Sequence, residues 1–149
     1  MKQTSYVMVK PEFANNKKVI GEIKGRLEAN NLKIVDQSYI RYDKSHAQKH
    51  YAEHVGKAFY PALEAYITSD KAYGMIVEGE DAIAKIRELV GATKNPAEGT
   101  IRCDIPKYLG LECRVTENVV HASDKQESAN AEIEIFKELK RNLNKPFEK

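Results

Sequence analysis

His121 is the residue of this chain best placed to do phosphate chemistry. In the segment Asn118-Val-Val-His-Ala-Ser-Asp-Lys-Gln-Glu127 a short apolar run delivers one imidazole to the point where a strand should end and a helix begin. Ser123 reads as the N-cap of that helix, with Gln126 three residues on as its capping-box partner. A ring held there lies beside free backbone N–H groups, which stabilise phosphate. A nucleophilic histidine must be neutral, open at one nitrogen and oriented through the other. Glu132, on the same predicted helix, is a carboxylate suited to the orienting task. The pattern points to an imidazole that meets a phosphate and carries it.

Cations that could neutralise phosphate are spread along the chain. Lys10 ends the first apolar run, just before Pro11, and reads either as a solvated strand-end lysine or as a point charge aimed at phosphate. Arg87 shares a helical stretch with Lys85, where a surface arginine is the plainer reading. Arg102 follows Gly99-Thr100-Ile101 in an irregular segment, and a loop setting favours binding. Thr93 follows Gly91 and offers a hydroxyl for a turn or a phosphate. Phe59 and Tyr60 form an aromatic pair; one belongs in a core, and an exposed phenyl ring suits stacking on a nucleobase. His46, His50 and His54 recur every four residues on one predicted helix. Three imidazoles on a face suggest zinc, but no fourth ligand stands nearby, and a polar helix face is the simpler account. No P-loop, GxGxxG or GxSxG motif is present, so any phosphate chemistry proceeds without one.

The elements that must position these residues follow from periodicity. Tyr6 to Val9 reads as a central strand stopped at Lys10-Pro11. Val19, Ile20, Ile23 and Leu27 predict a helix over 17–30. Leu32 to Tyr42 reads as a strand. Ser45 to His54 reads as a helix, with Ser45 and Gln48 at capping-box spacing. Phe59, Leu63, Tyr66 and Ile67 predict another after Gly56-Lys57. Tyr73 to Val77 is a strand, and Ile83, Ile86, Leu89 and Val90 mark a helix ending at Gly91. Residues 92–117 show no clean period and read as a long functional excursion. A strand over 117–121 and a helix over 124–141 complete the chain. Four strands with intervening helices suit an α+β sandwich with a ferredoxin-like core, a four-stranded antiparallel sheet with helices packed on it.

Composition narrows the class further. The chain has 149 residues and a net charge of +2, so no overall field points to nucleic acid or to a membrane surface. That length suits one domain, 1–149. Two cysteines cannot make a disulfide framework, and no stretch approaches the ~20 apolar residues of a membrane span. The N-terminal apolar run is shorter than a secretory signal. A reduced, cytoplasmic, soluble protein is expected.

Seven pieces, in order, carry a resemblance: Val9-Lys10-Pro11-Glu12, His50-Tyr51-Ala52-Glu53-His54, Lys57-Ala58-Phe59-Tyr60, Val77-Glu78-Gly79-Glu80, Gly91-Ala92-Thr93, Gly99-Thr100-Ile101-Arg102 and Asn118-Val-Val-His-Ala-Ser-Asp124. From about residue 4 to 139 the chain resembles nucleoside diphosphate kinases. The resemblance implies a ping-pong phosphotransferase in which His121 takes the γ-phosphate of a nucleoside triphosphate and passes it to a nucleoside diphosphate. Mg²⁺ would bridge the phosphate oxygens. Lys10 matches the family lysine near the transferred phosphate and ribose, and Tyr51 the tyrosine beside the catalytic ring. Phe59 matches the ring that stacks on the base. Arg87, Thr93 and Arg102 match the phosphate clamp, and Asn118 the ribose contact. Ser123 and Glu132 match the residues supporting His121, and Val115 the far wall of the base slot. The family also implies a homo-oligomer, a hexamer before a tetramer. The alternative from the fold alone is a non-catalytic nucleotide- or RNA-binding module, but no aromatic RNA-binding strand is visible and no specific nucleic acid is expected.

The chain departs from the family pattern in places. Ala122 and Lys125 stand where the family has Gly and a second Ser, and Lys94 interrupts Gly-Ala-Thr-Asn-Pro. The stretch from Thr93 to Gly99 lacks the proline before its glycine, and the segment between Arg102 and Asn118 is several residues longer than usual.

Overall fold

The structure is a computed structural model that describes residues 2–92, 96–110 and 119–143. Its spine is a four-stranded antiparallel sheet in the order β2-β3-β1-β4, with β1 at Lys2–Val9, β2 at Lys33–Ile40, β3 at Ala72–Glu80 and β4 at Val120–Ala122. Strand β1 is central and buried on both faces from Ser5 to Val9. Hence Tyr-Val-Met-Val is a continuous apolar run, without the alternation of a half-exposed strand. Val7 and Val9, with Met75 and Val77 of β3, pack against α2 (Lys17–Ala29) and α5 (Ala82–Val90). Tyr6 and Met8, with Ile76, pack on the opposite side with Phe136, Leu139 and Ile67 of α7 (Gln126–Leu143) and α4 (Tyr60–Ile67).

The expected α+β sandwich is present, and two helices are additional to the expectation. Lys10-Pro11 does not stop regular structure: α1 (Pro11–Ala14) starts there, with proline at a position whose N–H has no helical acceptor. Phe13 and Ala14 are buried by this turn. Within the segment expected to be irregular, residues 101–108 form α6 (Ile101–Tyr108). Pro106 and the flanking glycines obscured its period. Its burial of Ile101, Cys103 and Ile105, and the 3.0 Å ion pair from Arg26 of α2 to Asp104, outweigh the bond that Pro106 removes. The expected final strand at 117–121 is described only as Val120–Ala122; residues 111–118 lie outside the described ones.

Helix α3 is shorter than expected, Lys44–His50, and a separate 3₁₀ turn covers Ala52–His54. Its cap is Asp43, whose carboxylate accepts from His46 N at 2.7 Å, so Ser45 and Gln48 form no capping box. Between α5 and α6, Gly91 takes φ 93°, and a Cβ there would lie 2.6 Å from Thr100. Only glycine fits that bend.

In β3, a Cβ on Gly74 would lie 2.6 Å from Phe136 Cδ1 and 2.8 Å from Tyr6 Oη, both on fully buried rings. Gly74→Ala is therefore expected to destabilise the fold by about 1–3 kcal/mol. Urea unfolding of the two proteins measures this, and equal midpoints would show that the rings yield at no cost.

Candidate active site

The site is assembled where β1 and β4 meet α7. The register pairs His121 with Met8, so the imidazole stands on the α7 side of the sheet, with Tyr6 and Met8. Helix α7 turns a buried stripe toward it: Ala129, Glu132, Ile133 and Phe136 recur at helical spacing. Glu132 is thus a carboxylate at an otherwise apolar position. Its Oε1 lies 2.9 Å from His121 Nε2 and accepts the Ser123 hydroxyl at 2.6 Å. The Nε2 contact has ion-pair distance without hydrogen-bond alignment, a common looseness in sites without substrate. Ser123 is fixed in turn, because Tyr6 N donates to its Oγ at 3.2 Å and its own N donates to Tyr6 O at 3.1 Å.

This geometry corrects the expected capping box. Helix α7 starts at Gln126, not beside His121. The Ser123 hydroxyl is taken by Glu132, and the Gln126 amide donates to Thr4 O and Asn130 Oδ1. The orientation of His121 therefore comes from a carboxylate and a serine, not from a helix terminus.

Three cations from three elements face the ring. Lys10 is almost fully buried at the end of β1, and its backbone N donates to Val119 O at 2.8 Å. Arg102 sits in the first turn of α6, on a helix rather than in the expected loop. It donates to Gly91 O and Val120 O, each at 3.0 Å. Arg87 of α5 lines one cleft with Arg102 and Ala122. Burial first, then Lys10 and Arg102, and less strongly Arg87, lower the His121 pKa to about 3, with Asp124 opposing. The ring is neutral at physiological pH, as a nucleophile requires. Burial, then Arg102, also lowers Lys10 to about 7, and burial, then Arg87, lowers Arg102 to about 10. Burial raises Glu132, which His50 and Ser123 partly offset.

A chain of rings leads outward. Tyr51 is buried with its centroid 6.0 Å from His121, His54 lies 6.2 Å from Tyr51, and Phe59 lies 5.4 Å from His54. Phe59 is 48% exposed, and Tyr60 is the core member of the pair. Thr93, Asn118 and Val115 lie outside the described residues.

The three histidines do not share one polar face. His46 lies against Asp43 and Glu138, at 2.8 and 3.1 Å. His54 lies among aromatic rings, and His50 is buried 4.4 Å from His121, ring centre to ring centre. The closeness of His50 was missed, although Ala47, His50 and Tyr51 recur at i, i+3 and i+4 as a buried stripe does. His50, His121 and Glu132 bring potential metal-ligand atoms within 4.8 Å of one another. The three cations beside them oppose a dication there.

A ferredoxin-like α+β sheet carrying a carboxylate-backed histidine among buried cations has the charge pattern of a site that receives an anionic substrate. A family model for nucleoside diphosphate kinase matches residues 3–141, and the chain belongs to that family. It is 45% identical over 139 residues to a nucleoside diphosphate kinase of Listeria monocytogenes serotype 4b, covering 91% of this chain and 88% of that one. It is 47% identical over 137 residues to one of Archaeoglobus fulgidus, covering 90% and 85%. The solved structure of the Halobacterium salinarum nucleoside diphosphate kinase in complex with CDP superposes with a TM-score of 0.81 at 36% identity, covering 91% of this chain and 88% of that one. Among the described residues, no helix is long and apolar enough to cross a membrane.

Two titrations test the electrostatics. The ring ¹⁵N shifts of His121 should stay those of a neutral imidazole between pH 5 and 8, because its charged form is disfavoured until about pH 3; imidazolium shifts appearing below the ordinary value of about 6.5 would contradict this burial. Phosphate approaching Lys10 should raise its pKa again. Nucleoside diphosphate binding at pH 8 is therefore expected to take up protons, seen as a dependence of the calorimetric enthalpy on buffer ionisation, and Lys10→Gln should abolish the uptake.

Proposed function

We propose that this enzyme transfers the γ-phosphate of a nucleoside triphosphate to a nucleoside diphosphate through a phosphohistidine on His121. The observation that carries the reading is the neutral His121 ring with Nε2 against Glu132, leaving Nδ1 as the nitrogen for attack. In the first half-reaction the Nδ1 lone pair bonds to the γ-phosphorus as the bond to the β-phosphate oxygen breaks. The nucleoside diphosphate leaves with that electron pair. In the second, a β-phosphate oxygen of another diphosphate attacks the phosphorus and the N–P bond breaks. Splitting the transfer allows one site to serve two anionic substrates in turn.

Ser123 holds Glu132, and Glu132 balances the positive character that phosphorylation gives the imidazole. Arg102 and Arg87 face the phosphates, while Lys10 is placed to follow the transferred group. Two of Arg102's donors are fixed on backbone carbonyls, which sets the plane of its guanidinium. Asn118 and Thr93 take ribose and phosphate roles on the family pattern. A phosphate-facing set of cations fits Mg²⁺ carried on the nucleotide rather than held by protein carboxylates. When bound with the nucleotide, Mg²⁺ would supply further neutralisation of phosphate charge beside Lys10, Arg87 and Arg102. Phe59 stacks on the base without reading its edge, which makes the choice of base broad. A cytoplasmic location fits soluble nucleotide substrates and the free, buried Cys103. We also propose a homo-oligomer, a hexamer before a tetramer. The edge strand β2, with Val35 exposed, and the exposed Tyr108 and Leu109 support subunit contacts.

Incubation with γ-labelled GTP and Mg²⁺ should give one acid-labile, alkali-stable label per chain, and ADP should discharge it as ATP. His121→Ala should abolish labelling; retention of label in that variant would remove the mechanism. Phe59→Ala should weaken nucleotide binding by about 1–3 kcal/mol, and an unchanged dissociation constant would take Phe59 out of the base slot.

A further inference from the structure

One buried imidazole beside the nucleophile has no part in the mechanism above. His50, at the end of α3, is 8% exposed and meets the His121 ring edge-on, with centroids 4.4 Å apart. Its Nδ1 lies 3.2 Å from Tyr42 Oη, which lies 3.0 Å from Tyr6 Oη, and both contacts are buried. Its Nε2 is buried without a hydrogen-bond partner. A ring nitrogen of each histidine and an oxygen of Glu132 lie within 4.8 Å of one another.

Two accounts fit that cluster. Two imidazoles and a carboxylate are a donor set for zinc, but Lys10, Arg102 and Arg87 are near enough to depress the basicity of His121, and the same charges repel a dication. A hydrogen-bond network has no such obstacle. A carboxylate only accepts, so a ring nitrogen facing it is stabilised when it carries the proton. Hydrogen on Nε2 leaves Nδ1 as the acceptor from Tyr42, whose oxygen then accepts from Tyr6. The chain of donors runs Tyr6, Tyr42, His50, Glu132.

We propose that His50 is a positioning residue for the phosphoryl transfer: with Tyr42 fixing its tautomer, its Nε2–H donates to Glu132 as the site tightens and so holds that carboxylate against His121. Burial, and next the neighbouring His121, keep the His50 ring neutral, so it orders Glu132 without adding a positive charge that would compete for that carboxylate. This proposal rests on the phosphohistidine reading. It adds a residue that touches neither nucleotide nor phosphorus.

The test compares His50→Gln, whose amide N–H reaches near the Nε2 position, with His50→Leu, which keeps similar volume and donates nothing. The readouts are the single-turnover rate of His121 phosphorylation by GTP and Mg²⁺ and the dissociation constant for GDP, with circular dichroism to confirm folding. The ¹⁵N shifts of the His50 ring in the unmodified enzyme report its tautomer. Expected are a loss of about 10–100-fold in phosphorylation rate for His50→Leu, the size typical of an outer hydrogen-bond partner, a GDP affinity within about twofold, substantial recovery in His50→Gln and a protonated Nε2. A His50→Leu rate equal to that of the unmodified enzyme, equal losses in both variants, or a proton on Nδ1 would each overturn the proposal. Should His50→Leu fail to fold, Tyr42→Phe with the same rate and ¹⁵N readouts takes its place, since it removes only the tautomer-fixing hydroxyl. Absence of label in the unmodified enzyme would instead fail the proposed function, and the His50 tautomer would still decide this geometry.

Discussion

The hydrogen bonds of Ser123 hold the active site together. Tyr6 N–H donates to its oxygen, its own N–H returns to Tyr6 O, and its hydroxyl reaches Glu132 on α7. One small side chain thus joins the central strand, the end of β4 and the C-terminal helix. The groups involved are buried, where a polar network is strong when complete and costly when broken. Glu132 would otherwise be an acid in an apolar stripe, a position that favours its neutral form. The serine hydrogen bond favours the charged form, which is the one that can balance a phosphorylated imidazole.

Against that anchored carboxylate stand cations that the fold keeps poorly solvated. Lys10 and Arg102 are both lowered by burial; Arg102 adds to the cost at Lys10, and Arg87 to the cost at Arg102. Cations buried in this way are costly on their own, and an anion beside them would restore the charge balance that burial removed. The rings from Tyr51 through His54 to Phe59 run from His121 to an exposed, apolar edge.

Much of this was legible in the chain. Helices α2 and α5 follow from their apolar periods, and the identity of β1 as a central strand follows from its unbroken apolar run. The adjacency of His121 and Glu132 was legible from the histidine's apolar approach and from a carboxylate on the following helix. The errors came from contacts distant in sequence. Helix α6 breaks local rules at Pro106 and forms because it covers the core beside α2. The Ser123 hydroxyl prefers Glu132 to a capping role, since a buried acid gains more from it than exposed backbone does. Lys10 resembles any strand-end lysine until the chain that shields it is placed. His50 belonged to a buried stripe that the repeating histidines disguised.

Strand β4 is three residues long, too short for its own ladder to set its alignment. Two clasps do so instead: Lys10 N–H on Val119 O at one end, and the Ser123–Tyr6 exchange at the other. At the first clasp Val119 takes φ 77°, a backbone state that a β-branched residue adopts only under duress. Side chains alternate across a sheet, so a slip of one position would turn the imidazole to the α2 and α5 layer, away from Glu132. Such a misthreaded molecule would keep nearly all of its core and lose the His121–Glu132 contact, which makes the clasps, more than the core, the guardians of that pairing.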